Sequence, residues 1–487
     1  MTHKSIDVEA AKLLGYAHCI KYQALPIRRD KNHLWVALVE PHNTTKLADL
    51  ADITGMHIVP VMWHAERIRI HTEQLMAPEA LNHIASQFIV DEQLRYNTGL
   101  NSTETLEEIS SAPAVRLIDS LIESGIANRA SDIHIEPFGK QMRTRCRIDG
   151  HLHTYSNVDI SLHASVISRL KIMGGMDISE KRRPQDGRFS LSLKGKKIEF
   201  RLSTLPTVFG EKAVIRLLYD HSSRLKKTEL GFFEDDLAQL TTLFNKPYGA
   251  IIMTGPTGSG KSTTLNSFMA ELNHDSVNIV TVEDPVENPI VGINHTNVER
   301  AADVNFTSVL RHVLRQDPDI IMIGEIRDEE TADIAIRAAI TGHLVLSTLH
   351  TNDAAGVIER ILDMKIEPYL ASAALIGVVS QRLVRRICTH CRMPATLLLH
   401  HAVQLNLTEI SQVFEGSGCD SCSGTGYKGR LAVYEYIIMN DEMRRSMSTQ
   451  PYQFAETLRG KSTFKATAIR HLLAGHTTVQ EVLQILG

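Results

Sequence analysis

The spacing of apolar and polar residues divides the chain into segments of different character. Residues 1–95 alternate short β-rich runs, such as LWVALVE and HIVPVMW, with amphipathic stretches, such as TKLADLADITG. This alternation predicts a small α/β or α+β module. Residues 96–108 (YNTGLNSTETLEE) are polar and lack periodicity, which is typical of a linker.

Residues 109–225 begin with a helical pattern and continue as alternating strands. The apolar positions of the helix follow i, i+3, i+4 spacing and are Ala114, Leu117, Ile118, Leu121 and Ile122. Later runs, among them MRTRCRID and KIEFRLSTLPT, place Arg on one face and apolar residues on the other. They predict a half-buried antiparallel sheet with a cationic face. The pattern leaves open whether that face is merely solvated or functional.

Residues 226–384 change to continuous apolar runs that alternate with longer helical stretches. The runs AIIMTG, VNIVTVEDP, DIIMIGE and HLVLSTLH are each bounded by Gly, Pro, Asp or another polar residue. Such strands, separated by helices, indicate a parallel sheet that is covered on both faces. Residues 385–433 hold two cysteine pairs and a glycine-rich turn, and residues 434–487 are predicted to form a helical tail.

Composition narrows the class of protein. The chain has 487 residues, 43% hydrophobic and 22% charged, so two to four soluble domains are expected. A net charge of −4 argues against a general nucleic-acid-coating protein. No apolar run approaches the roughly 18 residues of a membrane span, and the N-terminal residues do not resemble a secretory signal. These observations predict a cytoplasmic protein.

The strongest local motif lies between an apolar strand and a helix. It reads Gly255-x4-Gly260-Lys261-Ser262 within AIIMTGPTGSGKSTTL. In this context glycines let backbone N–H groups surround phosphates, and the helix N-terminus adds a favourable dipole. We expect Lys261 to reach the β- and γ-phosphates and the Ser262 hydroxyl to ligate Mg²⁺. The predicted ATP-binding residues are Gly255, Pro256, Thr257, Gly258, Ser259, Gly260, Lys261, Ser262 and Thr263.

Two later strands end in acidic residues. Glu283 and Asp284 end the first, with Glu287 in the following turn, and Glu325 ends the second. Because ligands bind beyond the carboxyl ends of parallel strands, these acids should face the phosphate loop. One acid must hold Mg²⁺ through water and another must polarise the attacking water. Glu325 can serve either task or both, so the sequence leaves this division open.

A third strand carries His343 and His350, seven residues apart in HLVLSTLHTND. A histidine at a strand end is commonly a hydrogen-bonded structural group. The alternative is a sensor of the γ-phosphate that links the nucleotide state to subunit geometry.

The cysteine pairs indicate a metal. Cys388 and Cys391 form one C-x-x-C pair, and Cys419 and Cys422 form the other. In a reducing compartment four thiolates with this spacing favour tetrahedral Zn²⁺ over disulfides, and they leave no open position for catalysis.

These motifs resemble the secretion ATPases of type II secretion and type IV pilus assembly. The resemblance rests on GPTGSGKSTTL, TVEDPVE, LRQDPDIIMIGEIRDEETAD, the segment TGHLVLSTLHTNDA, the cysteine pairs, and the upstream ASDIHIEP, RPQDGRF and FRLSTLPTVFGEKAVIR. In the family's terms these are the Walker A loop, the Asp box, the Walker B strand, the His box and a second N-terminal domain. The strong resemblance covers residues 110–487.

The resemblance implies a RecA-like P-loop NTPase core (226–384), an upstream PAS-like α+β domain (109–225), and a small N-terminal α/β module (1–95) that docks on membrane-embedded partners. It also implies a tetracysteine zinc subdomain (385–433) of the kind found in assembly-type members, and a C-terminal helical subdomain (434–487). Arginines of the PAS-like domain face the nucleotide phosphates in this family, and the best-matching positions are Arg188, Arg201 and Arg216.

The implied function is a homohexameric ATPase at the cytoplasmic face of the inner membrane. It would hydrolyse ATP to power assembly of a type IV pilus or a type II secretion pseudopilus, through a platform protein and a docking protein. Glu283, Glu325, His343 and His350 would be its catalytic side chains, with no nucleic-acid partner. The alternatives are a conjugative or DNA-handling ATPase, for which the basic run QRLVRRICTHCRM speaks, and a nucleotide-gated scaffold with little turnover.

Overall fold

The structure is a computed structural model that describes residues 6–65, 67–68, 71–72, 76, 113–193, 196–218, 226–298, 305–407 and 412–486. The predicted linker at 96–108 lies outside the described residues. The chain separates into two compact units, Met1–Asp220 and His221–Gly487.

The N-terminal part of the first unit is a three-stranded sheet with short helices. Strand β2 pairs antiparallel with β1 and parallel with β3. Asp7 caps the first helix and Asn43 caps the third through side-chain oxygens that accept backbone N–H groups, as helix starts require. The elements are α1 (Val8–Lys12), α2 (Tyr16–Tyr22), β1 (Ala24–Asp30), β2 (His33–Leu38), α3 (Thr44–Thr54) and β3 (His57–Met62).

The rest of the first unit is the predicted antiparallel sheet, with strand order β6-β5-β4-β9-β8-β7. Helices α4 and α5 share its apolar core. Along β5, Met142 and Cys146 are buried in that core, whereas Arg143, Arg145 and Arg147 alternate with them. The elements are α4 (Pro113–Ala127), β4 (Asp132–Phe138), β5 (Gln141–Ile148), β6 (His151–Asp159), α5 (His163–Met173), β7 (Gln185–Leu193), β8 (Lys196–Thr207) and β9 (Gly210–Leu218).

The second unit is built on a seven-stranded sheet of order β12-β11-β13-β14-β10-β15-β18. Neighbouring strands are parallel except for β18, which pairs antiparallel with β15 and was not predicted. Separate apolar clusters cover the two faces, which is why β10, β13 and β14 are buried along their whole length.

The strands and helices of this sheet are listed together in chain order. They are α6 (Glu234–Phe244), β10 (Gly249–Thr254), α7 (Lys261–Leu272), β11 (Ile279–Glu283), β12 (Asn294–Asn297), α8 (Phe306–Val313), β13 (Ile320–Ile323), α9 (Glu329–Ile340), β14 (Leu344–Leu349), α10 (Ala355–Asp363), α11 (Pro368–Ala374), β15 (Leu375–Ile387) and β18 (Tyr427–Ile438).

Between β15 and β18 the chain forms a small hairpin region, and helices follow β18. A two-stranded antiparallel sheet pairs β16 with β17. The buried Glu481 of the last helix accepts hydrogen bonds from the Arg385 side chain and backbone on β15. The elements are β16 (Arg392–Thr396), α12 (Leu399–Leu405), β17 (Gln412–Gly416), α13 (Asp441–Thr449), α14 (Pro451–Gly460), α15 (Phe464–Leu473) and α16 (Val479–Leu486). Among the described residues, no helix is both long enough and apolar enough to span a bilayer.

Candidate active site and metal centre

The glycine-rich loop connects β10 to α7 and has the conformation that its sequence predicts. Gly255, Gly258 and Gly260 adopt positive φ angles of 138°, 79° and 86°, a region that other residues enter only with strain. Gly260 is the N-cap of α7, so the first N–H groups of this helix adjoin the loop.

Lys261 closes the loop from within. Its Nζ donates to the carbonyl oxygens of Gly255 at 2.7 Å and Pro256 at 3.2 Å. Burial lowers the pKa of the Lys261 ammonium, and the negative charge of Glu325 opposes that effect. In the first turn of α7, by contrast, Ser262 and Thr263 are exposed, as are Pro256, Thr257 and Gly258 in the loop. Their polar atoms are therefore accessible to a ligand.

The parallel register brings the predicted acids to the same edge as this loop. Thr254 of β10 pairs with Leu349 of β14, whose Ser347 pairs with Ile323 of β13. Ile323 in turn pairs with Val282 of β11. Gly255 and His350 directly follow β10 and β14, Glu325 stands two residues after β13, and Glu283 is the last residue of β11. In this order they lie along one edge of the sheet.

Glu325 is the centre of a charged group at this edge. Its carboxylate pairs with the Arg327 guanidinium, and its Oε2 lies 3.5 Å from Nε2 of His350. The bond to Glu325 raises the pKa of Arg327, and the charge of Asp284 adds to this effect. Arg327 was not among the predicted site residues, although it stands two positions from Glu325 in the sequence.

Glu283 is held by two neighbours that the sequence did not identify. Its Oε1 accepts from the Thr281 hydroxyl at 2.7 Å and lies 3.0 Å from Nδ1 of His295. The other ring nitrogen, Nε2, accepts from the Ile290 N–H at 2.8 Å. This contact places the ring proton of the neutral tautomer on Nδ1, where it faces Glu283. Asp284 and Glu287, which follow Glu283 in the sequence, are exposed.

The structure separates the two predicted histidines. His350 follows β14 at the edge that carries Glu325, whereas His343 precedes the strand, and its Nδ1 lies 3.0 Å from the Ala338 carbonyl oxygen. The six residues of β14 span about 20 Å. Within this unit, therefore, His343 is not brought together with Glu325.

The three predicted arginines lie in a row in the first unit. Arg188 of β7 is directly opposite Arg201 of β8, which is directly opposite Arg216 of β9. Together with Asp186 and Ser203 they line a concave region of about 450 Å³. Arg216 Nε also donates to Asp132 at 2.9 Å. Because like charges directly opposite each other are destabilising in a sheet, such a row is suited to an anionic ligand.

The four cysteines converge although 27 residues separate the pairs. Their Sγ atoms all lie within 4.8 Å of one another. The distances Cys388–Cys419, Cys391–Cys422 and Cys419–Cys422 are 3.8, 3.8 and 3.7 Å. A tetrahedral metal with bonds of about 2.3 Å to sulfur needs edges of about 3.8 Å, so these thiols fit a four-coordinate metal.

Hydrogen bonds prepare one of these thiols for ionisation. Burial disfavours the Cys422 thiolate, but the backbone N–H groups of Cys419 and Gly426 and the neighbouring thiols outweigh it and lower its pKa to about 7. Burial and the adjacent thiols raise the pKa of Cys391 to about 12. A bound cation would remove this difference, because metal ligation deprotonates thiols outright.

Comparisons with known proteins match almost the whole chain. A family model described as "Type II/IV secretion system protein" matches residues 107–484, and one described as "MshEN domain" matches residues 2–80. The chain is 40% identical to the type IV pilus assembly ATPase PilB of Myxococcus xanthus, over 99% of this chain and 87% of that protein. It is 43% identical to the type II secretion system protein E of Pectobacterium carotovorum, over 79% and 78%.

Solved structures show the same fold. The crystal structure of the pilus retraction motor PilT with bound ADP matches with a TM-score of 0.50 at 26% identity, covering 75% of this chain and 95% of that one. The Legionella pneumophila ATPase DotB matches with a TM-score of 0.56 at 20% identity, over 76% and 95%, and supports the fold alone.

We predict that Cys388→Ser removes a bound metal from the purified chain. The three remaining thiolates no longer complete a tetrahedral set of ligands, so the affinity for the metal falls steeply. Elemental analysis should show about one metal ion per wild-type chain and a clear deficit in the variant. Cys146→Ala is the matched control, because Cys146 is a buried free thiol outside the cluster. Equal metal content in Cys388→Ser and wild type would contradict the assignment.

Proposed function

Because this chain belongs to the type II/IV secretion system protein family and is an ATPase, we propose that it is the motor of type IV pilus assembly. The observation that carries the role in ATP hydrolysis is the shared edge at which the phosphate loop, Glu325 and Glu283 lie. In a parallel α/β sheet this edge is where ligands bind.

We assign a role to each residue at this edge of the sheet. The loop N–H groups and Lys261 bind the phosphates, and Lys261 exchanges its carbonyl contacts for phosphate oxygens. The exposed Ser262 would ligate Mg²⁺, which neutralises charge on the β- and γ-phosphates. Glu325 and Glu283 share the remaining tasks of holding the metal's water shell and polarising the attacking water. His350, beside Glu325, responds to the γ-phosphate.

The row formed by Arg188, Arg201 and Arg216 supplies further positive charge to the phosphates. Arginine suits this role because its planar guanidinium binds phosphate oxygens in pairs and stays protonated. The support is the direct cross-strand alignment of the three residues around one concave region.

The tetracysteine cluster binds Zn²⁺ in a structural role. A set of four thiolates favours this ion and leaves no vacant position for catalysis. The site fixes the segment between β15 and β18, since Cys388 directly follows β15.

The proposed setting is a homohexamer at the cytoplasmic face of the inner membrane. There the ring drives a platform protein, and residues 1–95 dock on a membrane-associated partner. Pilus assembly is favoured because the pilus assembly ATPase aligns with 99% of this chain, including its N-terminal module. The second candidate is type II secretion, whose protein E is slightly more identical but aligns over 79%.

Replacement Glu325→Gln should abolish turnover while ATP binding persists. Loss of the carboxylate removes general-base and metal-shell chemistry without disturbing the phosphate loop. We expect kcat to fall by about 10³-fold or more, measured by phosphate release, with nucleotide affinity measured separately. Glu456→Gln, on an exposed face of α14, is the control. Turnover like that of wild type in Glu325→Gln would overturn the site.

Arg201→Ala should lower kcat with a much smaller effect on the dissociation constant of ATP. An arginine that stabilises transferring phosphate contributes about 10³-fold or more to kcat. The same direction is expected for Arg188→Ala and Arg216→Ala. Arg183→Ala is the control, because that side chain is 84% exposed. If all three variants keep the wild-type kcat, the arginine row does not serve the phosphates.

The pathway is tested by capture with the full-length chain from the membranes of its own cell. We expect Glu325→Gln, loaded with ATP, to retain the platform protein of a pilus system, and deletion of residues 1–80 to lose the docking partner. Recovery of pseudopilus components would favour the second candidate. Comparison with the unloaded variant controls for nonspecific capture.

A further inference from the structure

A buried amide lies directly behind the phosphate loop, on the neighbouring strand β15. Thr254, the last residue of β10, pairs with Ser380 of β15, so Gln381 stands beside the first residue of the loop. Gln381 is 1% exposed. A buried side-chain amide must satisfy its donors and acceptor inside the protein.

Both ends of the Gln381 amide contact the loop and its helix. The Nε2 group donates to the Ser259 carbonyl oxygen at 2.7 Å, and Oε1 accepts from the Thr264 hydroxyl at 2.9 Å. These contacts also distinguish the oxygen of the Gln381 amide from its nitrogen. The Ser259 carbonyl can only accept, so it requires the NH₂ end of the amide.

The contact with Ser259 orients a neighbouring donor. In a trans peptide the carbonyl of one residue and the N–H of the next point in opposite directions. Because the Ser259 carbonyl is drawn towards Gln381, the Gly260 N–H is directed away from β15. That is the orientation a cradle for phosphate oxygens requires.

The same residue accounts for two glycines of the motif. A Cβ on Gly255 would lie 2.2 Å from the Gln381 carbonyl oxygen, and a Cβ on Gly260 would lie 2.8 Å from its Nε2. The loop is thus packed against the Gln381 backbone and side chain at both ends. The loop is also held by two hydrogen bonds to its carbonyl oxygens. Lys261 donates to Gly255, and Gln381 on the neighbouring strand donates to Ser259.

We propose that Gln381 is a positioning residue for nucleotide binding, which holds the Ser259–Gly260 peptide in its phosphate-binding orientation before ATP arrives. The inference rests on the proposed role of residues 255–263 in binding phosphates. Gln381 acts through the Ser259–Gly260 peptide and touches no reacting atom. Loss of the Gln381 amide therefore weakens binding of ATP and of the transition state equally. Such a loss raises KM and leaves kcat nearly unchanged.

The test uses Gln381→Glu in the full-length chain. Glutamate has nearly the same shape and keeps an acceptor for Thr264, but it sets an oxygen against the Ser259 carbonyl. We expect the dissociation constant of a ribose-labelled fluorescent ATP analogue with Mg²⁺, and the KM for ATP, to rise about tenfold or more, since a buried acceptor loses its donor. The kcat should stay within about twofold.

A milder pair of variants guards against misfolding of Gln381→Glu. Thr264→Val removes only the contact that anchors the amide, so KM should rise by a smaller factor, about threefold. Thr264→Ser keeps the hydroxyl and should restore the wild-type KM. We expect the nucleotide-free Thr264→Val chain to keep the wild-type melting temperature. A role in fold stability alone would instead lower the melting temperature of Thr264→Val, and Thr264→Ser would restore it. Gln453→Glu, exposed on α14, is the matched control for added charge.

Lys261→Ala, measured in parallel, distinguishes loss of the positioning role of Gln381 from loss of the proposed phosphate site. If Lys261→Ala abolishes binding while Gln381→Glu and Thr264→Val bind like wild type, the positioning role is overturned and the phosphate loop stands. If Lys261→Ala binds ATP normally, the proposed function itself fails. A fall in kcat at constant KM in the Gln381 and Thr264 variants would also overturn the inference.

Discussion

The parallel register of β10, β14, β13 and β11 is the constraint on which the rest of the nucleotide site depends. Each of these strands is short and ends at the same edge, so the residues that follow them become neighbours. Covering the sheet on both faces with apolar clusters makes the register costly to change, because slippage would bury polar strand ends. Lys261, Glu325 and Glu283 owe their proximity to this geometry.

The antiparallel sheet of the first unit has to accommodate many positive charges on one face. One face is apolar and shares a core with α4 and α5, whereas the other concentrates arginines. Two largely buried acids, Asp132 and Glu136, compensate part of that charge through Arg216, Arg145 and Lys212. The ion pairs with Arg145 and Lys212 outweigh burial and hold the pKa of Glu136 at about 2. Glu136 thus stays ionised at neutral pH and offsets part of the positive charge on this face.

Strand β15 connects features that look unrelated in the sequence. Its Gln381 contacts the phosphate loop, its Arg385 is bonded to Glu481 of the last helix, and Cys388 follows its last residue. It also pairs with β10 on one side and β18 on the other. The sheet that carries the phosphate loop, the tetracysteine cluster and the C-terminal helices are therefore connected through a single strand.

What the sequence determined by itself is whatever depends on local pattern. Period-two alternation predicted the antiparallel sheet, continuous apolar runs predicted the parallel one, and Gly255–Ser262 predicted the loop conformation, because glycine spacing and strand–helix context are local properties. The cysteine spacing likewise predicted a cluster that the structure assembles. The roles of the individual site residues stay predictions.

Only the tertiary structure decided which distant side chains meet. Gln381 lies more than 110 residues from Ser259 and Thr264 in the chain. It is one of several polar residues of β15, so no local pattern distinguishes it. His295 reaches Glu283 through the pairing of β11 with β12. His343 and His350 look like one pair in the sequence, yet β14 separates them by its whole length. Strand order and register are set by long-range packing, and these contacts follow from them rather than from neighbouring residues.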